Sequence, residues 1–245
     1  MSARPAMARD RILERLRSLL REKRPPFRDP IAHDLPAPPM TVYPPSGRRS
    51  LVETFGAKLT ELSGSCELVR SETDVAERIA QKICEWVPTG GPERTEVLSW
   101  APGELHVARL EQTLAELDVS LFVPDDMNDQ RVRDHAASLA VGITGVEAAF
   151  ANTGSIALLP APGRSRAASL LPLHHLVLIP LSRLYPTFED WLLKLRKRGR
   201  LEAMVRRSGQ IAFITGPSKS ADIELNLTLG VHGPKVVHAV VFDDE

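Results

Sequence analysis

Between residues 51 and 138 short apolar runs alternate with amphipathic stretches, and this alternation constrains the fold more than any other feature. The spacing predicts helices over residues 51–62, 75–86, 105–117 and 129–138. Strands are expected at 67–69, 97–100 and 119–123, the last closed by Pro124. Val75, Ile79 and Ile83 fall on one helical face, as a helix lying on a sheet requires. Parallel neighbours need a long crossover, and a helix supplies it. The pattern therefore predicts an α/β domain with a largely parallel sheet flanked by helices.

The second half adds strands at 155–159, 176–179, 211–214 and 236–241, and a helix over 188–198 whose C-terminal end is basic, as the helix dipole favours. A Pro/Gly/Arg loop fills 160–166. One segment reads two ways. Ile223, Leu225, Leu227 and Leu229 alternate as a strand does, yet Ile223 and Leu227 are also spaced for a helix, and Ser218-Lys219-Ser220 resembles a helix start.

Ahead of the α/β domain, taken as residues 51–245, lie two different segments. Residues 1–24 form an amphipathic helical arm, with Ile12, Leu13, Leu16, Leu19 and Leu20 at helical spacing and eight basic residues against three acidic. Such an arm suits a membrane surface, a partner, or its own domain. Residues 25–50 hold eight of the chain's 20 prolines and read as an extended linker.

Composition excludes several classes. The 31 basic and 31 acidic residues balance, which argues against a nucleic-acid binder. No apolar run approaches the ~20 residues that span a bilayer, and the N-terminus lacks the apolar core of a secretory signal, so a cytoplasmic protein is expected. Cys66 and Cys84 are the only cysteines. A standard iron–sulfur cluster takes about four, closely spaced, so no cofactor is assigned to this chain.

Chemistry concentrates where strands end in small polar turns. After the run 211–214 comes Thr215-Gly216-Pro217-Ser218-Lys219-Ser220, then Asp222 and Glu224. Gly216 permits close backbone approach. Ser218 and Ser220 offer hydroxyls, and Lys219 offers a mobile charge for a phosphate or carboxylate. An ordinary helix cap, with Asp222 and Glu224 complementing the dipole, accounts for the same residues. Thr153, Gly154 and Ser155, after Asn152, form a second such turn, and His232 and Gly233 a third, where His232 suits proton transfer. No HxxxH or HExxH spacing occurs, so no metal site is assigned. Seven basic residues against one acid lie between Lys194 and Arg207. They read either as a solvated helix face or as a docking face for an acidic partner or anionic ligand. No G-x-S-x-G, G-x-G-x-x-G or Walker A motif is present.

Three segments in order carry a family resemblance: Gly142-Ile143-Thr144-Gly145-Val146-Glu147 leading into Ala151-Asn152-Thr153-Gly154-Ser155; Gly216-Pro217-Ser218-Lys219-Ser220-Ala221-Asp222-Ile223-Glu224; and Gly230-Val231-His232-Gly233-Pro234. Over residues 50–242 the chain resembles the lactate-utilisation (LUD) domain family. It departs at Asn152, where the family often has an acid, and at Ser220, where threonine is usual. The resemblance implies a fold in the group containing sugar-phosphate isomerases and CoA transferases. It also implies a place in L-lactate oxidation to pyruvate as a non-redox subunit, with iron–sulfur clusters in partner subunits and a small anionic ligand on this chain. The alternatives are an independent enzyme acting on a phosphorylated or CoA-like substrate, and a scaffold.

Overall fold

The computed structural model describes residues 4–21, 47–70, 72–87, 95–221 and 227–244. Most of the expected proline-rich linker, together with Asp222 and Glu224, lies outside them. Two compact units divide the chain, Met1–Thr41 and Val42–Glu245. In the first, α1 (Arg4–Arg21) leaves Ile12, Leu16 and Leu19 exposed along one stripe.

The second unit opens with α2 (Arg48–Glu61), β1 (Ser65–Val69), α3 (Glu72–Trp86), β2 (Thr95–Ser99), α4 (Leu110–Ala115), β3 (Val119–Phe122) and α5 (Gln130–Ser138). It continues with β4 (Val141–Thr144), β5 (Ala148–Phe150), β6 (Ser155–Leu158), β7 (His174–Pro180), β8 (Leu184–Tyr185), α6 (Phe188–Lys197) and α7 (Leu201–Arg207). The last strands are β9 (Ala212–Ile214), β10 (Lys219–Ala221), β11 (Leu227–Leu229) and β12 (Val236–Phe242).

Six strands form one wholly parallel sheet in the order β1-β12-β7-β4-β2-β3. The expected parallel sheet flanked by helices is thus present. A second sheet, β8-β5-β6-β9, mixes parallel and antiparallel pairs, and β10 and β11 make an antiparallel hairpin. That hairpin settles the described part of the segment that read two ways: Leu227–Leu229 is strand.

The central strands are mostly apolar on both faces, because both faces are covered: α3 packs on β1 and β12, and α2 with residues of the second sheet joins the same core. β4 and β6 are buried throughout, and β7 and β12 beyond their first residues. The expected helix over 105–117 is shorter. His106 and Arg109 adopt φ of 59° and 57°, which no right-handed helix accommodates, so only Leu110–Ala115 is helical. The break still buries Leu105, Leu110 and Leu114, and leaves His106 exposed.

Candidate functional site

The chain leaves β2 toward β3 on one side and leaves β4 toward β7 on the other, although β2 and β4 are neighbours. The polypeptide therefore departs in opposite directions beyond their carboxyl ends, the kind of place where open α/β sheets take ligands. Glu104 comes from the turn after β2, Glu147 from the turn after β4, and Arg164 bridges them. Its Nε donates to Glu104 Oε2 at 2.7 Å, and its other nitrogens lie 2.5 Å from Glu104 and 3.3 Å from Glu147 Oε2. Arg164 is 4% exposed and lies over the Trp100 ring, 5.4 Å from its centroid. Trp100 Nε1 donates to Ser165 O at 3.1 Å, and Ala101 N–H to Gly163 O at 2.7 Å, so the Pro/Gly/Arg loop is tied to the end of β2. Gly145 makes the approach possible: a Cβ there would stand 2.8 Å from Glu104 O.

Arg183, just after β7, flanks this ion-pair cluster. It donates to Val146 O and, at 2.8 Å, to His106 Nε2. Guanidinium carries five N–H donors, so others remain for a ligand. As an acceptor, His106 Nε2 carries no proton. Although its edge is exposed, partial desolvation of the ring, then Arg183 and Arg164, push the His106 pKa below its ordinary value, which keeps the ring neutral near pH 7. Burial also lowers the Arg183 pKa, but from so high a value that the group stays charged. Ser182 donates from N and Oγ to the Asp244 carboxylate, at 3.0 and 2.6 Å, and closes the end of β12.

Two cavities meet at Ser182 and Arg183. One, about 500 Å³, lies between His106 and the ends of β7 and β12. The other, about 720 Å³, runs from Glu147 and Arg183 under α6 and α7, and Lys194, Arg198, Arg200 and Arg207 line it.

The turns picked out from the sequence gather elsewhere, at the amino end of the parallel sheet, around the last turn of α2. Ser155 Oγ and Thr215 Oγ1 share a hydrogen bond of 2.8 Å, which joins the 153–155 turn to the 215–220 turn. Gly154 (φ 64°) and Gly216 (φ 78°) press on α2: added Cβ atoms would stand 2.7 Å from Leu59 N and 2.9 Å from Leu62 Cβ. Between them remains a cavity of about 10 Å³, no larger than one water requires. Ser218 N–H donates to Pro234 O at 2.9 Å, and Gly233 packs on its Cβ. Lys219 is exposed and reaches Ser63 Oγ at 3.3 Å; Ser220 pairs with Thr228 in the hairpin. Thr153 and His232 are exposed. So Thr153, Gly154, Ser155, Gly216, Ser218, Lys219, Ser220 and Gly233 converge, but around packed glycines.

Sequence reasoning passed over the carboxyl-edge residues. Glu147 closes the Gly142–Glu147 motif and was legible there. Arg164 stood in a loop marked only by composition, His106 was read into a helix, and nothing in the sequence distinguishes Arg183. Cys66 and Cys84 are free thiols, and burial, then Glu67, push the Cys66 pKa up to about 12. Among the described residues no group of three or more His, Cys, Asp or Glu is placed to hold a metal ion, and no helix is long and apolar enough to cross a membrane.

Fold and site together define an α/β protein with a charged cleft at the carboxyl edge of a parallel sheet. Residues 52–242 match the LUD domain family, and the chain belongs to it. A lactate utilization protein C of Shouchella clausii (strain KSM-K16) is 34% identical over 152 residues, 61% of this chain and 63% of that protein. One of Exiguobacterium sp. (strain ATCC BAA-1283 / AT1b) is 41% identical over 120 residues, 49% of this chain and 51% of that protein. One of Geobacillus sp. (strain WCH70) is 27% identical over 213 residues, 84% of each. The chain thus spans between half and two thirds of the length of the first two relatives. A crystal structure of a DUF162 family protein from Deinococcus radiodurans shares the fold, with a TM-score of 0.55 and 18% identity, covering 81% of this chain and 99% of that one.

Proposed function

We propose that this chain is a non-redox subunit of an L-lactate oxidation system, in which it binds a small carboxylate at the carboxyl-edge cleft. The observation that carries the reading is Arg183: a charged guanidinium between two cavities, fixed by Val146 O and the neutral His106, with donors to spare. Arginine pairs with carboxylates bidentately, and its partial burial strengthens the pairing. Relatives named lactate utilization protein C supply the substrate class. Oxidation of lactate to pyruvate releases two electrons and two protons. With only two cysteines in this chain, the electrons go to iron–sulfur clusters on partner subunits. This chain binds and orients the carboxylate, and the neutral His106 holds the Arg183 guanidinium in place for it.

The test is growth on L-lactate, and L-lactate oxidation in extracts, after deletion of the gene and its return as wild type, Arg183→Gln or Lys219→Ala. Deletion abolishes both. Arg183→Gln lowers oxidation by about tenfold to a hundredfold at subsaturating lactate, the range set by one charge-assisted hydrogen-bond pair. Lys219→Ala restores wild-type rates. Loss with Lys219→Ala and not with Arg183→Gln moves the anion site to the hairpin at the amino end of the sheet. Undiminished L-lactate oxidation in the deletion strain removes the reading altogether.

A further inference from the structure

The 720 Å³ cavity under α6 and α7 is much larger than a three-carbon acid needs, and its charge is one-sided. Lys194, Arg198, Arg200 and Arg207 line it, and none of them has a carboxylate partner among the described residues, whereas neighbouring Arg206 is paired with Glu202. The one acid on its wall, Glu147, is already taken by Arg164. With Arg183, five like charges stand around one cavity and repel one another, a cost that an anion inside reverses. Helix dipoles explain part of the placement, because Lys194 belongs to the last turn of α6 and Arg207 to that of α7. They do not explain Arg200, which stands at the N-terminal end of α7, where a cation is disfavoured. Besides Ser182 and Arg183, the rest of the wall is apolar or aromatic, including Leu159, Leu195, Met204 and Tyr185, with Lys194 4.8 Å above the Tyr185 ring.

We infer that this cavity binds an organic ligand carrying two or more linked phosphates, its phosphates on Arg198, Arg200 and Arg207 and its organic part along Leu159, Tyr185 and Met204. The volume falls within the range that encloses a nucleotide-sized ligand, and arginine forks match phosphate oxygens. Arg183 forms a wall of both cavities, so the polyphosphate ligand and the proposed carboxylate lie side by side. The inference goes beyond the carboxylate reading and stands without it.

The test is calorimetric titration of the purified full chain with ADP, pyrophosphate and, as a control for bare charge, sulfate, at physiological ionic strength. The wild type binds ADP more tightly than pyrophosphate and binds sulfate least. The double variant Arg198→Gln/Arg207→Gln, whose side chains are exposed, keeps its melting temperature and binds ADP about tenfold or more weakly. Arg200→Gln alone gives a smaller loss in the same direction and serves if the double variant is unstable. No binding of ADP or pyrophosphate to the wild type overturns the inference, as does binding that the arginine variants leave unchanged. Equal affinity for pyrophosphate and sulfate also overturns it, since the cavity is then only a patch of charge. L-lactate-dependent growth is a separate readout, so its loss or retention bears on the carboxylate reading alone.

Discussion

Two buried histidines on the parallel sheet are treated differently by their surroundings. His238 has both nitrogens engaged, Nδ1 with Ser65 Oγ at 2.7 Å and Nε2 with Glu67 Oε1 at 3.0 Å, and Arg78 holds Glu67 in turn at 2.5 Å. Its neighbour on the next strand, His174, stacks on Trp86 at 5.0 Å. His175 points to the opposite face, as adjacent strand residues must. It is fully buried, with Nε2 2.9 Å from Thr144 Oγ1 and, among the described residues, no hydrogen-bond partner for Nδ1. Burial therefore depresses its pKa from 6.5 to about 3. The folded chain binds fewer protons than the unfolded chain between those values, so stability is full above pH 6.5 and falls as pH drops toward 3. The slope for one such group is about 1.4 kcal/mol per pH unit. Between pH 7 and pH 5 the wild type should lose about 2 kcal/mol more than His175→Gln, read by urea denaturation at both pH values. His238 is also pushed down by burial, against the pull of Glu67, but it is present in both proteins and cancels. Parallel pH profiles for wild type and variant would mean that His175 is not neutral and buried.

At the scale of elements, the glycines of the family motifs act as contact points. Gly154 combines a left-handed φ with a Cβ position 2.7 Å from the α2 backbone, so α2 can lie on the second sheet only if no side chain intervenes. Gly154→Ala should cost roughly 1–3 kcal/mol, against almost nothing for Gly209→Ala, which has open space around it. Equal melting temperatures for the two variants would show that α2 has room to move away. The fold was largely legible for a related reason. β7 and β12 read as buried runs because both their faces are covered, and α3 showed its Val75-Ile79-Ile83 stripe plainly. β5 and β8 were missed because strands of three and two residues carry no period, and β4 because its glycine and threonine dilute the apolar signal. The site was legible only in part. Its cleft depends on where chain segments cross, and the break that frees His106 turns on two left-handed residues with no glycine to announce them.

For the Val42–Glu245 unit as a whole, two apolar clusters of unequal size set the order of unfolding. The larger fills both faces of the parallel sheet and takes Ala149, Ile156 and Leu158 from the near face of the second sheet. The smaller takes Ala148, Phe150 and Ala157 from its far face, closed by Trp191, Met204 and Leu159. Successive residues of β5 and β6 thus belong to different cores, and α6 and α7 are attached through the smaller one. Trp191 is its anchor: it is 2% exposed, with its ring centroid 5.7 Å from Phe150 and 5.8 Å from Phe188. Regions with fewer buried contacts open at lower free energy. Amides of α6 and α7 should therefore exchange with solvent before those of β7 and β12. Trp191→Ala removes about 3–5 kcal/mol of packing from that cluster. If α6 and α7 open as a local unit, exchange there should accelerate roughly a hundredfold or more while β7 and β12 stay protected. Because four of the five cations of the large cavity ride on or beside these two helices, the same variant should weaken ADP binding without unfolding the parallel sheet. Hydrogen exchange read by mass spectrometry decides the matter: equal acceleration in α6, α7, β7 and β12 would mean that the two cores unfold as one.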